Sequence, residues 1–196
     1  VLVVDSGDCD AVQAAAVQLE KDVGLPDVLV NCAGAGRWRF LDEMDAAAIK
    51  LCMDAPYFCA AFWSRAFCRR MVARGSGAIV NVQSPASLQP FSGATAYCTG
   101  RWALRGLSEA LACDTFGTGV IVQEVVCGEV TNSAYFEGDP ESKRRFPMIN
   151  MLLKPAITSE GAAGAIVAAI KSGRRHYCYP AMLSVAAGLV SHMPVV

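Results

Sequence analysis

Five short apolar runs, each separated from the next by helical periodicity, constrain this chain more than any other feature. They are Val1–Val4, Asp27–Asn31, Ala78–Val82, Gly119–Val126 and His176–Tyr179. Runs this short, and mostly rich in Val and Ile, suit strands buried on both faces. Helical spacing of apolar residues falls between them, over Ala11–Val23, Leu41–Met53, Tyr57–Met71, Tyr97 to about Phe116, and onward from Thr158. Strands alternating with helices imply βαβ units with right-handed crossovers. The expected fold is therefore α/β, a doubly wound parallel sheet. At 196 residues the chain suits one domain, 1–196, with a sizeable core.

Punctuation between the runs agrees with this pattern. Asp5-Ser6-Gly7-Asp8 is a turn with helix-capping residues, Gly24 and Pro26 stop the first helix, and Thr158-Ser159-Glu160 supplies a cap and a first-turn acid. From Gly128 to Pro155 the periodicity fails. A segment this long suggests a lid or a substrate-binding insertion.

Composition excludes several functions. A net charge of -1, with 18% charged residues, offers no basic surface for nucleic acid. Nine cysteines without a C-x-x-C pair, and only two histidines, argue against a zinc site and against a disulfide framework. A reduced, cytoplasmic setting follows, and no signal-peptide pattern is present. The 54% hydrophobic content leaves apolar surface for a second copy or for lipid, so a homo-oligomer is expected. The tail Ala181–Val196 reads as packed core or subunit interface, with membrane-surface contact as the alternative. His192 and Pro194 interrupt it before the ~20 residues a membrane span needs.

Ligands of doubly wound sheets bind at the carboxyl ends of the strands. Three stretches follow strands here: the small-residue loop Asn31–Gly36, Ser84, and Gly128. Ser84 leaves its strand, and a helix carries Tyr97 and, one turn later on the same face, Arg101. A hydroxyl, a phenol and a fixed cation at one crevice read as proton-transfer apparatus. Asn31 could equally stabilise the turn after its strand, and Asp5 the start of a helix.

Taken together these residues resemble the short-chain dehydrogenases/reductases over essentially the whole chain. Asn31-Cys32-Ala33-Gly34 resembles their N-N-A-G motif, Ile79–Ser84 the strand leading to their serine, and Tyr97–Arg101 their Y-x-x-x-K; Ser84 lies thirteen residues before Tyr97, the family's separation. The resemblance implies a Rossmann-like fold and an NADP cofactor, with NAD as the alternative. It also implies a hydrophobic ketone or alcohol as substrate. In the family's scheme Tyr97 donates a proton, Ser84 polarises the carbonyl, and Arg101 takes the lysine's place beside the ribose. Asp5, Asn31, Ala33, Gly34, Val130 and Asn132 occupy the family's other cofactor-contact positions. Within the family, phrases such as Val30–Gly34, Arg105–Leu111 and Pro180–Ser184 resemble the 3-ketodihydrosphingosine reductases. That branch implies a sphingoid ketone, and residence at the cytosolic face of the endoplasmic reticulum.

The chain departs from the family pattern at four points. The first two strands and the Gly-rich turn have no counterpart, so the resemblance implies an N-terminally truncated domain in which Val1–Val4 must float or pair somewhere new. Pro56 stands where the family has a relay asparagine, Asn132 stands at a threonine position, and Arg101 replaces lysine. These departures support a second reading: a scaffold that binds ligand or partner without turnover.

Overall fold

The computed structural model describes residues 1–137, 139–146 and 156–185. Four parallel strands form one sheet in the order β1-β2-β3-β4, namely β1 (Val28–Asn31), β2 (Gly77–Gln83), β3 (Val120–Cys127) and β4 (His176–Tyr179). The expected doubly wound architecture is present. One face carries α1 (Cys9–Val23), α3 (Cys59–Arg74) and α4 (Thr95–Asp114); the other carries α6 (Ser159–Ser172). A short helix, α2 (Ala46–Met53), packs on α4, and α5 (Pro140–Arg145) lies beyond β3.

Alternation along the strands explains both layers. Ile79 and Val122 point to the first face and meet Val12, Ala16, Phe67 and Met71; Val80 and Val125 point to the second and meet Ala169, Ile166 and Ile170. Phe67 is almost fully buried, and truncating it to Ala would cost about 3–5 kcal/mol. The buried polar residues on the first face are paired across elements. Asn31 Nδ2 donates to Asn81 Oδ1 at 2.8 Å and to Ser64 Oγ at 3.3 Å, and Asn81 Nδ2 donates to Ser108 Oγ at 2.8 Å. These bonds tie β1 to β2, and both strands to the helices over them.

Three expectations need correction. Val1–Val4 is not a strand: it forms no ladder, Val1 and Val3 are exposed, and only Val4 packs on the core. An apolar β-branched run becomes a strand only where an edge supplies hydrogen bonds, and none reaches it. The helix expected over Leu41–Met53 is broken, because Asp45 caps Ala48 N at 2.7 Å and restarts the chain as α2 after a single 3₁₀ turn at Leu41–Glu43. The helix bearing Tyr97 opens two residues earlier, at Thr95. The last residues of the tail, 186–196, and most of the final stretch before Ala156, 147–155, lie outside the described residues.

Between α2 and α3 the chain makes a π-helical turn, Asp54–Phe58, with Pro56 buried in it. Pro56 has no N–H to contribute to a helical ladder, and the wider turn accommodates it. Its ring lies against Gly100 on α4. A Cβ at Gly100 would come within 2.0 Å of the Cys52 carbonyl oxygen, so the glycine lets α4 and the end of α2 meet backbone to backbone.

Candidate active site

The carboxyl ends of β2 and β3, the start of α4, the loop after β1 and the segment after β3 enclose a cavity of about 290 Å³. Ser84, Tyr97, Arg101 and Val130 all line it, so the structure brings together four of the residues singled out from sequence. Cys32 and Gly128 contribute backbone-rich edges, and Trp38, Phe91, Tyr135, Phe136 and Phe146 form an aromatic wall. Trp38 lies 5.8 Å from the Tyr97 ring, 5.9 Å from Phe91 and 4.9 Å from Phe146, centroid to centroid.

Each functional side chain is placed by an identifiable local cause. Ser84 caps the short turn Pro85–Ser87, its Oγ accepting from Ala86 N at 3.3 Å, which holds the hydroxyl at the strand exit. Tyr97 and Arg101 are one helical turn apart on α4, and both are buried, at 6% and 8% exposure. The Arg101 guanidinium stands 5.3 Å from the Tyr97 ring centroid and donates from Nη1 to Val82 O at 3.1 Å. Two glycines make room for this pair. A Cβ at Gly34 would fall 2.2 Å from Arg101 Nη2, and one at Gly36 would fall 2.1 Å from Tyr97 Cδ2. The Asn31–Gly36 loop therefore presses its backbone directly on the phenol and the cation.

The remaining residues go elsewhere. Ala33 lines a separate groove along β1, shared with Pro56. The Asn31 amide is spent on the β1–β2 pairing described above. Asp5 accepts from Gly7 N at 2.9 Å in the turn before α1 and does not line the cavity. Asn132 serves α6: its Oδ1 accepts from Ser159 N at 2.8 Å and Ser159 Oγ at 2.9 Å, and its Nδ2 donates to Glu160 Oε2 at 3.4 Å.

Sequence reasoning missed several residues of this site. Trp38 and Tyr135 arrive from segments without periodicity; the Tyr135 ring meets Tyr97 edge-on at 6.4 Å. Gln83 sits one residue before Ser84 and donates to Arg101 O at 3.2 Å. The segment after β3 is clasped to the loop after β1: Arg39 Nη2 donates to Asp139 Oδ1 at 2.7 Å, Trp38 N to Ser142 Oγ at 2.8 Å, and Arg145 pairs with Glu43. Burial opposes ionisation of Asp139, but hydrogen bonds from Ser142 and Arg39 outweigh it and bring its pKa to about 2.

Electrostatics narrow the chemistry. Burial pushes the Cys127 thiol up to about 11, so at neutral pH it is a protonated thiol rather than a nucleophile. Among the described residues, three buried side-chain polar atoms have no hydrogen-bond partner: Trp38 Nε1, Gln83 Oε1 and Arg101 Nε. All three residues line this one cavity. Buried polar groups are nearly always paired, so the cavity is equipped to receive a polar ligand.

Glu109, Glu124 and His176 also bring ligand atoms within 4.8 Å of one another, on α4, β3 and β4. The imidazole lies between the two carboxylates, Nδ1 at 3.3 Å from Glu124 Oε2 and Nε2 at 3.6 Å from Glu109 Oε1, and Arg175 already pairs with Glu109. These are ion-pair contacts, and the one at 3.6 Å is too long for a hydrogen bond. Among the described residues no helix is long and apolar enough to cross a membrane.

Comparisons with known proteins agree with this fold. Residues 1–142 match the family model described as short chain dehydrogenase. The chain is 32% identical over 180 residues to the probable oxidoreductase EphD of Mycobacterium tuberculosis, covering 86% of this chain and 30% of that protein. It is 35% identical over 106 residues to the 3-ketodihydrosphingosine reductase of Mus musculus, covering 54% of this chain and 32% of that protein. The chain thus spans about a third of the length of these relatives. A metagenomic short-chain oxidoreductase solved in complex with NADP superposes with a TM-score of 0.62 at 31% identity, over 66% of this chain and 59% of that one.

Proposed function

Because this chain belongs to the short chain dehydrogenase family, we propose that the cavity is the substrate site of an NAD(P)-dependent reductase acting on an apolar ketone. The observation that carries the proposal is the coincidence, in one aromatic-walled cavity, of Ser84, Tyr97 and Arg101 with all three unpaired buried polar atoms of the described residues.

The nicotinamide-ribose end of a dinucleotide fits these residues. Arg101 has a buried, unpartnered Nε–H, and the absence of side chains at Gly34 and Gly36 lets the loop after β1 seat Arg101 and Tyr97 at the cavity. Arg101 would hold the ribose hydroxyls and the backbone at Val130 the nicotinamide amide. Asn31, Ala33, Gly34, Asp5 and Asn132 occupy the family's remaining contact positions, although Asn31, Asp5 and Asn132 already have other partners. The Gly-rich turn that would cradle the pyrophosphate has no counterpart in these 196 residues. When bound, the reduced cofactor supplies hydride to the carbonyl carbon.

The chain's own residues handle the oxygen. Ser84 Oγ hydrogen-bonds the carbonyl oxygen and stabilises the charge that develops there. Tyr97 would transfer its phenolic proton to that oxygen as hydride reaches the carbon, so that C=O becomes CH–OH. Arg101 beside the ring favours the phenolate that remains. NADP is the preferred cofactor, supported by the NADP-bound neighbour at 31% identity, with NAD as the alternative. The substrate proposed is a sphingoid ketone, 3-ketosphinganine, supported by the likeness to the mouse reductase and by the apolar wall. A lipid substrate would place the protein at the cytosolic face of the endoplasmic reticulum.

The test is NADPH oxidation by the full-length protein with 3-ketosphinganine and a panel of apolar ketones. Tyr97→Phe removes the proton donor and should lower kcat by roughly 10²–10⁴-fold without weakening cofactor binding. Cofactor binding without turnover of any ketone would overturn the proposal. That outcome would favour a second reading, a binding scaffold without catalysis. Its specific support is Pro56, buried against Gly100 where the family has a polar relay side chain. Arg101→Lys combined with Pro56→Asn should then create turnover that the parent lacks.

A further inference from the structure

Two elements carry the proposed chemistry: the exit of β2, with Ser84, and the first turns of α4, with Tyr97 and Arg101. Their relative placement is held by a reciprocal pair of bonds. Arg101 Nη1 donates to Val82 O at 3.1 Å, and Gln83 Nε2 donates back to Arg101 O at 3.2 Å. The Gln83 amide is in turn held from the next strand, because Nε2 also donates to Glu124 Oε1 at 3.3 Å. Gln83 and Glu124 are 3% and 5% exposed, and Glu124, on β3, is not among the residues lining the cavity but holds Gln83, which is.

Glu124 is connected outward as well. His176 Nδ1 on β4 lies 3.3 Å from Glu124 Oε2, and Glu109 Oε1 on α4 lies 3.6 Å from His176 Nε2. Arg175 pairs with Glu109, and Arg105 on α4 adds positive charge facing Glu124. His176 is about half exposed, so protons reach this chain from solvent. Burial pushes the Glu124 carboxyl above its usual value; the Gln83 hydrogen bond and His176 oppose that rise, and Glu109 adds to it.

We propose that Glu124 is a positioning residue for the Ser84–Tyr97 pair: it acts through Gln83, and its ionisation state sets how firmly the strand carrying Ser84 is braced against the helix carrying Tyr97. The inference rests on the reading of the cavity as a ketone-reducing site. An ionised Glu124 is the stronger acceptor and fixes the Gln83 amide with its NH₂ toward Arg101 O. A protonated Glu124 holds that amide less tightly, and the two elements can separate.

The experiment uses the full chain and two readouts, the pH profile of kcat/KM with an apolar ketone and amide hydrogen exchange along α4 without ligand. Gln83→Met and Glu124→Met should each lower kcat/KM by about tenfold, chiefly in kcat, and speed exchange around Arg101–Arg105. The double variant should lose no more than either single one, because both break the same brace. Glu124→Gln retains an acceptor for Gln83; it should keep most neutral-pH activity and lose the acid limb of the wild-type profile. Glu124→Met with wild-type kcat/KM and exchange would overturn the proposal, as would additive losses in the double variant. Faster exchange without any change in kcat or in the acid limb would also overturn it, since the brace would then be structural only. A wild-type chain that binds cofactor but turns over no ketone would instead overturn the ketone-reductase reading, while the exchange data still decide whether the brace exists.

Discussion

The β2–α4 junction and the clasp between the segment after β3 and the loop after β1 flank the same cavity but are held by different physics. At the junction, Val82, Gln83, Arg101 and Glu124 are bonded to one another almost wholly out of water, and glycine at position 100 lets α4 sit on the α2 backbone. At the clasp, Arg37, Arg39, Glu43, Asp139, Glu141 and Arg145 form ion pairs with partly exposed side chains. Buried hydrogen bonds are hardly touched by salt, whereas exposed ion pairs are screened over about 10 Å at 0.1 M ionic strength. The junction is thus built to keep its geometry, and the clasp to give way.

The largest effect expected from breaking this contrast is at Gly100. Gly100→Val puts side-chain atoms where the Cys52 carbonyl already lies 2.0 Å from a Cβ position, and backbone cannot yield as a flexible side chain would. Overpacking of this kind costs about 3 kcal/mol or more, a fall of about 6–12 °C in Tm for a chain of this size. Activity should fall with it, because α4 carries Tyr97. A melting temperature within a degree of wild type would mean that α2 moves freely against α4, and that the junction is not the rigid half.

The reach of sequence reasoning divides along the same line. The junction was largely legible. Ile79–Ser84 announces itself as a buried strand with a serine at its exit, and Tyr97 and Arg101 are placed by helical spacing alone. What could not be read there was Gln83 and Glu124. Their pairing joins residues 41 positions apart, and a polar residue in a buried strand gives no hint of its partner. The clasp was illegible apart from its being a loop, since Arg39 and Asp139 are 100 positions apart and lie in stretches without periodicity. Val1–Val4 failed for a third reason. Local pattern specified a strand, but strand formation is a property of pairs, and among the described residues Val1–Val4 pairs with no strand. Asn132 stood at a cofactor position by analogy, yet its amide reaches across 27 positions to accept from Ser159 N at the start of α6, a pairing that local pattern does not announce.

A smaller effect is expected at the clasp. Asp139 has a folded pKa of about 2 against an ordinary 3.8, a depressed carboxylate, so its stabilisation is present above 3.8 and is lost as pH falls toward 2. Near neutral pH the clasp is therefore closed, and Asp139→Asn should loosen it. KM for the apolar ketone is expected to rise about threefold to tenfold with little change in kcat. Adding salt should raise KM in the wild type by a similar route and have little further effect on the variant. Equal salt responses in the two proteins would show that the clasp does not control access to the cavity.

The smallest effect separates charge from packing inside the junction itself. The Glu124 carboxyl is raised above its ordinary 4.5 by burial, so folding favours its protonated form. A raised folded pKa contributes stability that is complete below the unfolded value and is lost as pH climbs through the folded one. Wild-type Tm should accordingly lose ground between about pH 4.5 and neutrality relative to Glu124→Gln, which has nearly the same shape and cannot ionise. At acid pH the two should melt together, and at neutral pH the variant should melt higher, each kcal/mol corresponding to about 2–4 °C. If the variant instead melts lower at neutral pH, the ionised carboxylate is a net stabiliser, held by Gln83, Arg105 and His176 strongly enough to overcome its burial. The junction would then share with the clasp a dependence on charge, and the contrast between the two regions would reduce to one of solvent access.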